Sequence, residues 1–310
     1  METCLHSFRA RYKHHIPGVV TDPFWIPEQG NQTVCAPISE WDRVLKYIKK
    51  ATSTKIGYQK IRNHFFRTGK AYTATSLNIG RRNLRRLSNK QICELYKQYF
   101  QAQVNYVADL WILFDANDIW SNIGKEILEK KGLTPQAADF ASLFSPAKKV
   151  GMLKLKSILE NRYKKVLSEL FQEYKWMSCL DLQNDPWTMK DLISMYKNIK
   201  PEKNGLSAAK AAKIAKLSTG EKEIFKKIKD LAYIKDLRDV FRRKGIYSIL
   251  PLFEEIGERF GLDRKTVAYF TSGEIISGLF EGHLPAKKQI CARRSGCAVC
   301  WKGDAVMASL

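Results

Sequence analysis

From Ser39 to about residue 285, the apolar residues of this 310-residue chain recur mostly at three- and four-residue steps, and strand-like alternation is almost absent before residue 296. That period places them on one face of a helix. The spacing predicts a mainly α fold, a multi-helix array of about eight to ten helices with a small C-terminal β-hairpin. The longest middle stretch, "SNKQICELYKQYFQAQVNYVADLWILFDANDIW", opens on a capping box of Ser88 and Gln91 and carries Ile92, Leu95, Tyr99, Tyr106, Val107, Leu110 and Phe114 along one side. From Asp236 to Phe260 a second stripe holds Leu237, Val240, Phe241, Ile249, Leu250, Phe253, Ile256 and Phe260. Pro251 removes a backbone donor inside it, which predicts a kink near Tyr247 to Leu250.

Caps and breakers divide the rest. Ser39 is a candidate cap for "EWDRVLKYIKK", and Ser145-Pro146 reads as the cap and first residue of a helix carrying Leu155, Leu159, Tyr163, Val166, Leu170 and Phe171. Ser218 with Glu221, and Thr271 with Glu274, repeat the capping box. "IGYQKIRNHFFRTGKAY" is compatible with a helix but less regular. Pro17, Pro23, Pro27, Gly30 and Pro37 make residues 1–38 an irregular N-terminal arm. Residues 39–200 read as a helical domain, 201–285 as a helical subdomain, and 286–310 as a hairpin leading to a domain missing from the chain. Asn184-Asp185-Pro186 marks a further internal turn and boundary.

After Pro285 the period changes: "CAVCW" and "AVMASL" flank the turn signal Lys302-Gly303-Asp304. The order of a basic helix, a short helix, a capped helix and a hairpin, with "DLRDVFRR", "YFTSGEIISGL" and "ARRSG", resembles a known region. It is the part of phosphoenolpyruvate-utilising enzymes, the relatives of phosphoenolpyruvate synthase and rifampicin phosphotransferase, that precedes their swinging phosphohistidine domain. "RRLSNKQICELYKQYFQ", "KGLTPQAADFASLFSPAK" and "LFQEYKWM" extend the resemblance upstream. It implies the helical connecting or scaffold part of a phosphotransferase-like protein, with phosphohistidine and ATP-grasp domains as partners in cis or in trans. His6, His14, His15, His64 and His283 all lie outside a Gly-rich Thr/Ser-His setting, and residues 1–80 are too short and irregular for an ATP-grasp fold. The chain alone is therefore expected to be non-catalytic and to hold no cofactor.

Composition bounds the partners. A hydrophobic content of 45% with seven Trp supplies a real core, and 53 Lys and Arg against 31 Asp and Glu give +22. The field attracts anions, so nucleic acid, acidic headgroups and phosphorylated ligands are all permitted. No stretch approaches the roughly 20 apolar residues of a membrane helix. With no secretory signal in view, the expected setting is cytoplasmic. Seven scattered cysteines do not read as a disulfide framework.

Three sets of residues are candidates for chemistry. Arg81, Arg82, Arg85 and Arg86 could grip phosphates bidentately, which carries the alternative function of a basic α-helical nucleic-acid-binding protein. Arg238, Arg242 and Arg243, with Arg293 and Arg294, lie in the segments of the resemblance and are candidates for an anion or domain interface. Asp236 and Asp239 are spaced to pair with the first three. Cys291, Cys297 and Cys300 contain one Cys-x-x-Cys without a second pair, so no metal site is expected. Glu254, Glu255 and Glu258 read as a polar helix face. No phosphate loop or nucleophile elbow is found. A third alternative is a helical protein-interaction module.

Overall fold

The computed structural model describes residues 2–8, 24–28, 31–160, 167–198, 206–302 and 305–309, and among them the chain is mainly α, with thirteen α-helices and four short strands. In chain order these are α1 (Glu2–His6), β1 (Phe24–Glu28), β2 (Asn31–Cys35), α2 (Ile38–Ser53), α3 (Lys55–Gly80), α4 (Asn89–Glu129), α5 (Ala141–Phe144) and α6 (Gly151–Glu160). There follow α7 (Leu167–Tyr174), α8 (Met189–Asn198), α9 (Ala208–Ile214), α10 (Thr219–Phe260), α11 (Arg264–Val267), α12 (Ser272–Glu281), α13 (Lys287–Ser295), β3 (Ala298–Lys302) and β4 (Ala305–Ser309). Among the described residues no helix is long and apolar enough to cross a membrane.

Two compact units form, one from Met1–Leu110, Cys179–Asp185 and Lys244–Leu310, the other from Trp111–Ser178 and Pro186–Arg243. One boundary falls at Asp185-Pro186, within the turn the proline marks. Two others fall inside α4 and α10, so each long helix supplies residues to both units. Of the expected cuts, those at 38 and 285 fall within the first unit, and the one at 200 lies outside the described residues. Breakers show where a helix stops, whereas a unit is set by which stripes are buried together.

The core of the first unit is aromatic. Tyr72 of α3 stacks on Tyr106 of α4 at 5.2 Å between ring centres, and Phe253 of α10 meets Tyr96 and Tyr99 edge-on at 6.0 and 5.7 Å. The α3 helix buries Tyr58, Phe65, Thr68, Gly69, Tyr72, Ser76 and Ile79. The Ser76 hydroxyl donates back to the Tyr72 carbonyl, which lets a polar residue sit on a buried helical face. Pro251 lies inside α10 without ending it, and Gly261, at φ 65°, follows its last residue. The Ser88–Gln91 and Thr271–Glu274 capping boxes are formed. Ser39 is not a cap: α2 starts after Pro37, whose carbonyl accepts from Glu40 and Trp41.

The same unit carries a four-stranded sheet in the order β2-β1-β3-β4. β1 pairs antiparallel with β2, from Phe24 opposite Cys35 to Glu28 opposite Asn31, and with β3 through Trp25 opposite Val299. β3 pairs antiparallel with β4, while Gly303 and Asp304 of the expected turn lie outside the described residues. β1 and β2 place two paired strands within the arm expected to be irregular over residues 1–38. Pro27 lacks a ladder donor yet stands opposite Gln32 within the strand.

In the second unit, Phe144 meets Phe225 edge-on at 5.6 Å beside Gly124, which admits Ile228 and both rings to the α4 backbone. The Ser218–Glu221 cap of α10 is formed. Ser145 does not open a helix. It follows the last residue of α5, its hydroxyl donating back to the carbonyl of Ala141 at the start of that helix, and α6 starts only at Gly151. Residues 161–166, with Tyr163 and Val166 of the expected stripe, lie outside the described residues.

Candidate functional site

The arginine cluster Arg81–Arg86 occupies the connection between α3 and α4 in the first unit. Arg81 is the C-terminal cap of α3, its N–H donating to the Leu77 carbonyl, and Leu84–Arg86 form one 3-10 turn with Leu84 buried beneath it. All four arginine side chains face solvent. Arg85 reaches Glu258 at 3.2 Å, but both side chains are mostly exposed and such a pair contributes little.

A residue not singled out from the sequence holds this loop in place. Arg259 of α10 donates to the carbonyls of Leu84 and Leu87 at 3.2 and 2.7 Å, to Asn89 Oδ1 at 2.7 Å, and to the buried Glu255 at 2.8 Å. The i, i+4 spacing of Glu255 and Arg259 was legible; the long-range carbonyl acceptors were not. Glu254, Glu255 and Glu258 lie on the polar side of α10, Glu254 and Glu258 exposed and Glu255 buried. Each lies within 4 Å of an arginine, the Glu254 contact being to Arg264 at 3.9 Å.

The five anion or interface candidates divide between the units. On α10 in the second unit, the Arg238 guanidinium lies 4.8 Å from the Phe114 ring centre, with its Nε 3.4 Å from Asp239. Arg243 donates to the Met177 carbonyl, and Arg242 is half-buried. Burial pushes the Asp236 carboxyl up, and Asp239 adds to it against Lys235 and Arg238.

In the first unit, Arg293 of α13 is almost fully buried. It grips both oxygens of Glu274 at 2.7 Å and donates to the Tyr269 carbonyl at 2.9 Å. Arg294 donates to Thr266 Oγ1 at 2.5 Å and lies over the Tyr269 ring. Arg293 therefore fastens α13 to α12 and is not open to an incoming anion. A second fastener, Arg264 of α11, donates to the carbonyls of Leu182 and Asn184 and to Asp185. A hydrogen bond from Lys265 is the main cause holding the Asp185 carboxyl below its usual range.

A buried polar cluster joins residues that the sequence keeps apart. Asp109 of α4 lies 2.7 Å from His64 Nδ1 and accepts from Thr68 Oγ1 at 2.6 Å. Thr68 also lines an open cleft of about 580 Å³ with Thr75, Lys97, Gln98, Gln101 and Asn105. His64 and Thr68 are one turn apart and Asp109 is remote, so only the pairing of α3 with α4 reveals the cluster. Asp109→Ala removes the acceptor they share and is expected to cost about 1 to 3 kcal/mol. Asp109→Asn, which keeps one oxygen, should cost less. Urea midpoints at unchanged m-value check both.

All seven cysteines are unbridged, and the described residues contain no group of three or more His, Cys, Asp or Glu placed to hold a metal. No family model, curated protein or solved structure matches the chain.

Proposed function

We propose that this chain is the helical connecting part of a phosphoenolpyruvate-utilising phosphotransferase-like protein, a scaffold that is not catalytic by itself. The observation that carries the reading is the join between two of the sequence segments behind the resemblance. Arg293 of "ARRSG" grips Glu274 of "YFTSGEIISGL" bidentately and also takes the Tyr269 carbonyl of that segment. Arg294 adds Thr266 and the Tyr269 ring. A domain that swings needs a stationary frame at its root, and buried, bidentate fastening supplies stiffness there.

The test begins with the gene beyond the codon for Leu310 and proceeds to the full product. Labelled phosphoenolpyruvate should leave an acid-labile phosphohistidine in a downstream Gly-rich segment, and residues 1–310 expressed alone should take up no label. A full-length product with no such segment, or with label inside residues 1–310, overturns the reading.

A further inference from the structure

We propose that the Arg81–Arg86 loop of the first unit docks on the phosphate backbone of nucleic acid without reading its sequence. The inference stands apart from the connector reading, since it uses none of the residues that carry that reading.

Arg81, Arg82, Arg85 and Arg86 all face solvent within six positions, with exposed Lys90 just beyond. Guanidiniums suit phosphates because their fork presents two parallel donors to two oxygens. The loop is also set before any ligand arrives. Buried Leu84 pins it from below, and Arg259 takes the carbonyls of Leu84 and Leu87, whose oxygens would otherwise present negative charge within the loop. Preorganisation of this kind lowers the ordering cost of binding.

One exposed carboxylate, Glu258, pairs with Arg85, which leaves the cluster strongly positive in a chain of net charge +22. No aromatic residue lies between Arg81 and Asn89, so the loop itself offers no stacking platform for unpaired bases. The chemistry therefore points to the backbone of a duplex. An acidic protein would meet the same charge but lacks the close spacing of phosphates, one charge per about 1.7 Å of helix axis.

The experiment is fluorescence anisotropy of the purified chain with a labelled random-sequence DNA duplex across a salt series. If all four arginines contact phosphates, their share of the affinity falls roughly 100-fold between 50 and 200 mM salt, and changing all four to Ala makes the log–log slope shallower by about 3 to 4. A second variant, Arg82→Gln with Arg86→Gln, should make it shallower by about 2 while leaving Arg85–Glu258 intact. The control changes Lys210, Lys213, Lys222 and Lys226, exposed in the second unit, to Ala and removes the same charge. It should leave the slope nearly unchanged. Three results overturn the proposal: no binding at low salt, equal losses in the control and the four-arginine variant, or tighter binding of polyglutamate than of the duplex.

Discussion

Replacing Arg293 with alanine is expected to lower the unfolding free energy by about 3 kcal/mol, the low end of the range for breaking a buried ion pair. The Arg293 side chain is 3% exposed, whereas Glu274 keeps 25% exposure, so water relieves part of the loss. What remains is a carboxylate deprived of two charge-assisted bonds and a Tyr269 carbonyl deprived of one. Arg293→Lys should recover only part, because an ammonium cannot make the fork.

The pH dependence separates this pair from simple packing. Burial pushes the Glu274 carboxyl up, but the Arg293 guanidinium and the Thr271 N–H outweigh it and hold the group below its usual range. A depressed folded-state value gives stability that is present above the unfolded value of about 4.3 and is lost as pH falls through the folded one. Urea unfolding at a series of pH values should therefore show wild type and Arg293→Ala converging in acid, below about pH 4.3. A gap that stays constant with pH would assign the loss to packing alone.

The mainly α fold was legible because its signals are local. Ser88 with Gln91, Ser218 with Glu221 and Thr271 with Glu274 each name a helix start within four residues, and each cap is formed. Where the reading failed, the deciding partner was remote. Phe24–Glu28 contains Pro27 and looks like loop, yet it pairs with β2 and, through Trp25, with Val299. The α3 helix looked irregular because Thr68, Gly69 and Ser76 occupy its buried face where a hydrophobic pattern expects large apolar residues. The candidate site divides the same way. Four arginines in six residues are visible in any reading, whereas Arg259 becomes legible as their support only once α10 is packed beside the loop. Arg293 is conspicuous in the sequence for its charge, but its role follows from a pairing across 19 positions.

The second large effect concerns two glycines that no periodicity marks, at the crossing of α3 and α10 in the first unit. A Cβ on Gly245 would stand 2.2 Å from Cε1 and 2.3 Å from Cζ of Tyr72, and one on Gly80 would stand 1.9 Å from the Ser248 carbonyl oxygen. Tyr72 is fully buried and stacked on Tyr106, so its ring has little room to yield. Gly245→Ala is therefore expected to cost about 3 kcal/mol, the upper end for overpacking, and Gly80→Ala at least about as much. Rescue distinguishes the two obstacles. Tyr72→Ala opens a cavity and is itself costly, but combined with Gly245→Ala it should be less destabilising than the sum by about 2 kcal/mol, since the methyl enters the space left by the ring. Tyr72→Phe should give no such relief, because the clashing ring atoms remain. No side-chain change should rescue Gly80→Ala, because what it meets is backbone. Strict additivity of Gly245→Ala with Tyr72→Ala, read from urea midpoints, would mean that the helices shift apart to admit the methyl and that Tyr72 does not set their separation.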